Sequence, residues 1–291
     1  MTSRRYVALA VVATALASGS PASAAEPRAL IELFTSQGCS SCPPADRLLG
    51  DLAKDPTLIP LSLAIDYWDY LGWRDTLALP GHSNRQKAYS HVRGDRDVYT
   101  PQAVVNGSVQ ALGSDRAAIE RAISQSRRDP ATLSLPLTLA IANGQLTVTA
   151  PAAKGKGDTD GDVVSYRSLD PKDGIKDGAK NKPKDGTPVE GTSAEVWLCP
   201  LTKSVEVMIG RGENSGNTFT YHNVVRRWVK LGTWNGKSDS WTIPISDLKK
   251  GGADAVAVVV QSGGASAPGT VLGAAMASLD ETAMSAAPAN R

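Results

Sequence analysis

The chain has 291 residues, with 31 Lys and Arg against 29 Asp and Glu, and a formal net charge of +2 at pH 7. This balance argues against a protein that binds nucleic acid or an anionic membrane surface through its charge. The length is sufficient for one large domain or for two smaller domains that each have a core.

Residues 1–25 have the pattern of a signal peptide. Arg4 and Arg5 give a positive start, an apolar run follows over 6–17, and Ala-Ser-Ala at 22–24 offers a small-residue cleavage site. An apolar run this short does not span a bilayer. We therefore expect cleavage, export to the periplasm or the medium, and no stable membrane insertion after the signal peptide is removed.

The segment 27–129 alternates between strand patterns and helix patterns. An Asn106-Gly107 pair predicts a tight hairpin turn, and Ser114 is expected to cap the last helix. The predicted order β-α-β-α-β-β-α is typical of an α/β layer domain. The strands are predicted at 30–34, 58–65, 103–105 and 108–112, and the helices at 44–53, 82–91 and 115–126.

The segment 130–282 shows alternating apolar residues without a convincing helix, which predicts an all-β, sandwich-like module. A charged, Gly- and Pro-rich stretch over 151–192 is expected to be a flexible insertion, and 283–291 a frayed tail. Aspartates in the insertion lack the glycine and glutamate positions of a calcium loop, so we predict no metal site. The strands are predicted at 135–142, 145–150, 194–198, 204–211, 219–231, 241–245, 255–261 and 269–278.

Cys39-Ser40-Ser41-Cys42-Pro43 lies between a predicted strand and a predicted helix. A helix N-terminus stabilises a thiolate, so we expect Cys39 to attack and Cys42, one turn inside the helix, to resolve the mixed disulfide. The other readings are a static disulfide of an exported protein and half of a zinc site, although possible zinc ligands elsewhere lack paired spacing. The third cysteine, Cys199, lies on an apolar strand and is expected to be a small buried residue.

A proline directly before a buried strand cannot donate to the strand ladder. We therefore expect a cis peptide bond between Thr100 and Pro101. This bond would place the Pro101 ring beside the dithiol and leave the backbone of Thr100 free to pair with an extended substrate. The alternative is an ordinary trans proline at the start of a strand.

The Cys39–Pro43 motif, Thr100-Pro101 and the Asn106-Gly107 hairpin resemble the thioredoxin superfamily, and the Thr-Pro-Gln element resembles its glutaredoxin branch. More narrowly, four segments resemble a bacterial family of exported thioredoxin-like proteins that is designated a domain of unknown function. These segments are 32–46, 66–73, 212–216 and 223–226. The resemblance implies the fold and export, but it does not assign an activity. The insertion 151–192 departs from the family pattern.

The loop after the second predicted strand contains four aromatic residues: Tyr67, Trp68, Tyr70 and Trp73. In an open α/β sheet this loop lies at the edge where ligands bind, so the aromatic residues could form an apolar wall for a peptide substrate. Core packing explains them equally well. Asp66 is a candidate proton acceptor for Cys42, and a turn-forming role is its alternative.

The predicted fold class is an α/β thioredoxin-like domain followed by an all-β sandwich-like module. The predicted function is an exported thiol–disulfide oxidoreductase that acts on protein or small-thiol substrates and is reset by a redox partner protein. It needs no organic cofactor, because the dithiol carries the electrons. The alternative is a non-catalytic binding module, including one that handles Cu(I) through Cys39 and Cys42.

Overall fold

The structure is a computed structural model that describes residues 26–153, 164–165 and 193–280. The predicted signal peptide over 1–25, most of the predicted insertion 151–192 and the predicted tail 283–291 lie outside the described residues. Within the described residues the chain forms thirteen strands and four α-helices.

The strands are β1 (Ala29–Thr35), β2 (Leu58–Ala64), β3 (Gln102–Val105), β4 (Val109–Leu112), β5 (Thr138–Ala142), β6 (Gln145–Ala150), β7 (Val164–Ser165), β8 (Ala194–Met208), β9 (Thr218–Val225), β10 (Val229–Trp234), β11 (Asp239–Pro244), β12 (Ala255–Gly264) and β13 (Ala267–Ser278). The helices are α1 (Pro43–Leu52), α2 (Pro80–Arg93), α3 (Arg116–Ser126) and α4 (Ile245–Leu248).

One mixed sheet of nine strands runs through both halves of the chain, in the order β13-β12-β8-β9-β2-β1-β3-β4, with β10 also paired to β8. β1 and β2 are parallel, while β3 is antiparallel to β1. The two halves join where Ser62 of β2 pairs with Val224 of β9, and the side chain of Asn223 adds a hydrogen bond to the Pro60 carbonyl at 2.9 Å. The predicted fold class, an α/β thioredoxin-like domain followed by a separate sandwich-like module, is therefore wrong.

A shared core explains why the two halves do not separate. Phe34, Leu61 and Tyr89 pack in one buried cluster with Cys199 and Val259, which come from the other half of the chain. Apolar periodicity identifies the buried face of each strand, but it does not specify which strand lies beside it. The pattern therefore does not show that strands from the two halves of the chain share one sheet.

A second sheet, in the order β5-β6-β11-β7, packs on one face of the nine-stranded sheet. Val148 and Trp241 of this smaller sheet share a core with Val196 and Val258 of the larger sheet. Asn143 and Gly144 form the tight turn between β5 and β6, with positive φ at both residues.

Several element boundaries differ from the predictions. The predicted strands 194–198 and 204–211 form the single strand β8, because Pro200 still pairs with β12 and its carbonyl accepts a hydrogen bond from Arg226. The predicted strand 219–231 is divided into β9 and β10. Asp115, rather than Ser114, caps α3 by accepting a hydrogen bond from the Ala118 backbone.

Candidate functional site

The two cysteines of the Cys-X-X-Cys motif form a disulfide, with a Cα–Cα distance of 5.4 Å between Cys39 and Cys42. α1 begins at Pro43, so Cys42 is the N-cap and does not lie one turn inside the helix as predicted. Cys39 is 4% exposed and Cys42 is fully buried. Cys39 is thus the more exposed residue of the pair, although most of its surface is covered.

The Thr100–Pro101 peptide bond is cis, which confirms the prediction. The bend lies against the motif, because the Ser41 hydroxyl is 3.4 Å from both the Thr100 carbonyl oxygen and the Cys39 sulfur. The Trp68 indole donates a hydrogen bond to the Thr100 hydroxyl at 2.8 Å. The structure therefore brings together the disulfide, the Thr-Pro bend and one of the four aromatic side chains.

The four aromatic residues have different partners, although the Tyr67 and Trp68 rings also meet, with centroids 6.0 Å apart. Trp68 packs over Gly38, and Tyr70 stacks on Trp68 with 75% of its own surface exposed. Tyr67 instead donates a hydrogen bond to Gln86 of α2, and burial raises its pKa to about 12. Trp73 donates to the side chain of Gln37, beneath the motif loop. Trp68 and Tyr70 are thus the pair that offers open surface beside the disulfide.

Asp66 lies away from the sulfurs. Its carboxylate accepts a hydrogen bond from the Ser83 hydroxyl of α2. The Asp66 backbone N–H in turn donates a hydrogen bond to the Ser83 hydroxyl oxygen. Among the described residues, no hydrogen bond connects Asp66 to Cys39 or Cys42. The geometry therefore offers no direct support for Asp66 as the proton acceptor.

Asp46 is an acidic residue beside the motif that the sequence patterns did not identify as a candidate proton acceptor. It lies four residues after Cys42, its backbone N–H donates to the Cys42 carbonyl, and Thr35 donates to its Oδ1 at 2.8 Å. Its Oδ2 is buried without a hydrogen-bond partner among the described residues, and burial raises its pKa to about 7. The i, i+4 spacing from Cys42 is the signal that could have identified it.

A second buried carboxyl supports the motif loop. Asp75 accepts hydrogen bonds from the backbone N–H groups of Gln37 and Leu77, both at 2.8 Å. Burial raises its pKa to about 6, and its negative charge also contributes to the raised pKa of Asp46. Two carboxyls that titrate near neutral pH thus lie on the buried side of the motif loop.

Asn214 connects the C-terminal half of the chain to the disulfide. It lies in the loop between β8 and β9, is only 6% exposed, and donates hydrogen bonds from Nδ2 to the carbonyls of Gln37 at 2.9 Å and Cys39 at 3.0 Å. Gly212 of the same loop packs against Trp73. Because these contacts span about 175 positions of the sequence, local patterns alone could not reveal them.

Cys199 is fully buried in the core that the two halves share, and burial raises its pKa well above the ordinary value. This confirms its predicted role as a small buried residue. Across the described ranges, no group of three or more His, Cys, Asp or Glu side chains could hold a metal ion. The same residues include no helix that is long and apolar enough to cross a membrane.

The fold and the site define a protein with a nine-stranded mixed sheet, a smaller second sheet packed on it, and a Cys-X-X-Cys disulfide at a helix N-terminus. The chain matches the family model described as "Protein of unknown function (DUF1223)" over residues 30–183 and 179–261, and it belongs to this family. This confirms the expectation that the chain belongs to a family of unknown function, whereas the exported and thioredoxin-like character expected of that family stays a prediction. No curated protein matches the chain.

Two solved structures are similar to the chain. The first is protein AGR_C_4864 from Agrobacterium tumefaciens, at 26% identity over 88% of this chain and 96% of that chain, with a TM-score of 0.67. The second is HBP35 of Porphyromonas gingivalis, at 12% identity over 91% of this chain and 80% of that chain, with a TM-score of 0.54. The second similarity concerns the fold alone.

Proposed function

We propose that the protein is an exported thiol–disulfide oxidoreductase. The observation that carries this proposal is the Cys39–Cys42 disulfide at the N-terminus of α1, in contact with the cis Thr100–Pro101 bend. The resemblance to the thioredoxin superfamily that supports this proposal is limited to this site and does not extend to the whole architecture. Export rests on the signal-peptide pattern over 1–25.

The reaction transfers two electrons and needs no organic cofactor. In the reduced protein, the Cys39 thiolate attacks a substrate disulfide, forms a mixed disulfide and releases one substrate thiolate. The Cys42 thiolate then attacks the Cys39 sulfur, re-forms the Cys39–Cys42 bond and releases the second substrate thiolate. A partner dithiol resets the protein by the same exchange in reverse.

Cys42 must lose its proton before it attacks, and Asp46 is positioned to accept it. The carboxyl is buried one helical turn beyond Cys42, with one oxygen unpaired, and its pKa of about 7 suits proton transfer at neutral pH. Asp46→Asn should slow the resolution of a mixed disulfide about 100-fold, the scale of general base catalysis. Asp66→Asn is the matched control and should leave this step unchanged.

Trp68 and Tyr70 are the proposed contact surface for the substrate. Trp68 packs over Gly38 of the motif loop and donates a hydrogen bond to Thr100 at the Thr-Pro bend, and the exposed Tyr70 stacks on Trp68. Because only 4% of Cys39 is exposed, we propose that the substrate approaches along this aromatic pair. Tyr70→Ala should raise KM for a protein disulfide without changing the reaction with a small thiol.

A Cys42→Ser variant tests the function, because Cys39 would then retain any captured substrate as a mixed disulfide. The Cys39→Ser/Cys42→Ser variant is the matched control. The reduction potential and the turnover of a test protein disulfide are measured in parallel. A potential below roughly −300 mV, together with an empty trap and no turnover, would show that the disulfide is structural. Tight Cu(I) binding that requires both cysteines, without turnover, would favour the copper alternative.

A further inference from the structure

A cavity of about 370 Å³ lies on the side of α2 that faces β8 and the β12–β13 turn. Its residues are separate from those of the disulfide site. Its volume is within the range of small-molecule sites. The side chains that matter for its chemistry are Asn84, Arg85, Lys87, His91, Trp197 and Trp228.

The guanidinium of Arg85 is held rigidly and still has free donors. Its side chain is 10% exposed, and it forms an ion pair with the fully buried Glu32 at 2.6 Å. Its hydrogen bonds to Glu32, Tyr89 and Gln261 all come from Nε and Nη2. Nη1 therefore has no hydrogen bond to any described residue, and its two N–H groups are available to an acceptor.

Two indole rings form the apolar part of the cavity. Trp197 and Trp228 meet edge to face, with ring centroids 6.2 Å apart, and the Arg85 guanidinium stacks 4.3 Å from the centre of the Trp228 ring. The indole N–H of Trp228 is buried and is unpaired within the part of the chain that the structure describes. Aromatic walls beside a fixed cation are suited to a flat ring that carries an acceptor.

The charges around the cavity favour an anion. The Lys87 ammonium lines it, and no acidic residue does so among those that the structure describes. Two carboxylates that contact lining residues are already in ion pairs: Glu32 pairs with Arg85, and Glu195, which accepts a hydrogen bond from the Trp197 indole, pairs with Lys230.

We propose that this cavity is a binding site for a small aromatic carboxylate. The aromatic ring packs against Trp197 and Trp228, and the carboxylate accepts hydrogen bonds from Nη1 of Arg85 and from Lys87. The site is independent of the proposed redox function, because it contains neither cysteine of the disulfide.

Calorimetric titration of the oxidised full chain with 2-naphthoate tests this site, and the neutral isostere 2-naphthamide is the matched ligand. Naphthoate should bind one to one, and naphthamide at least about tenfold more weakly. Lys87→Met should weaken naphthoate binding by about 1.5-fold to fivefold. Ala265→Trp should abolish it, since this exposed rim residue would fill the cavity without disturbing the core.

Three controls keep the outcomes distinct. Lys249→Met, an exposed residue outside the cavity, should not change binding. The Cys39→Ser/Cys42→Ser variant should bind naphthoate as the wild type does, whatever its redox activity. Arg85 itself is not substituted, because removal of its charge would leave Glu32 buried and unpaired. Equal binding of the two naphthalene ligands, undiminished binding to Ala265→Trp, or no binding of naphthoate would each overturn the proposal.

Discussion

Replacement of Asp46 by asparagine should change how the stability of the oxidised protein depends on pH. The carboxyl is buried, and desolvation raises its pKa from an ordinary 3.8 to about 7 despite the hydrogen bond from Thr35. The folded protein therefore retains a proton that the unfolded chain releases above about pH 4. Ionisation of Asp46 thus opposes folding, and asparagine cannot ionise.

The sign and the size follow from the two pKa values. Below about pH 4 the carboxyl is protonated in both states, and its full contribution to stability is present. Stability is lost as the pH rises from about 4 through the folded-state pKa of about 7. At 1.36 kcal/mol for each pKa unit, the total loss is about 4 kcal/mol. This is a large part of the 5–15 kcal/mol that is typical of a folded protein.

The assay is urea unfolding of both oxidised proteins at several pH values between 4 and 8. The free energy of unfolding of Asp46→Asn, minus that of the wild type, should increase by about 4 kcal/mol across this range. A constant offset is also expected, because the new amide N–H group takes the place of an oxygen that has no partner. Only the slope with pH is therefore diagnostic.

Asp51→Asn is the control, since Asp51 lies on the same helix but is exposed and its pKa is lowered by the hydrogen bond from Lys54. Its difference from the wild type should not increase with pH. A difference for Asp46→Asn that stays constant within about 1 kcal/mol, as expected without a perturbed pKa, would refute the buried, proton-retaining carboxyl. The proposed role of Asp46 as the acceptor for Cys42 would then lose its physical basis.

Three further predictions concern contacts between the two halves of the chain. Asn214→Ala removes two buried hydrogen bonds to the motif loop and should lower the free energy of unfolding by about 1–3 kcal/mol. Alkylation of Cys39 in the reduced protein should also become faster. An unchanged rate would contradict a role of Asn214 in positioning the motif loop. Gly50→Ala should destabilise the protein by about 1–3 kcal/mol, because its new Cβ would clash with the His222 ring. The His222→Ala background should relieve this cost, as a thermal melt can test. Cys199 should react with a thiol reagent only after unfolding. The number of reactive thiols in the oxidised protein should therefore be zero in the native state and one in denaturant.

The sequence by itself determined most local elements and two parts of the site, the Cys-X-X-Cys motif and the Thr-Pro bend. The Asn106-Gly107 turn formed as predicted, because the short-range preferences of these residues do not depend on distant contacts. The sequence also predicted the cis bond before Pro101, because a proline next to a buried strand cannot donate a backbone hydrogen bond to the strand ladder. Export and catalysis remain predictions from the same patterns.

Tertiary structure alone decided which elements lie side by side. The junction of Ser62 with Val224 merges two predicted domains into one sheet, and Asn214 reaches Cys39 from the far half of the chain. The pKa of Asp46 is likewise a property of the folded state, because it depends on how completely the surrounding core excludes water. Periodicity records which face of an element is apolar, whereas partner choice and desolvation depend on contacts between residues far apart in sequence.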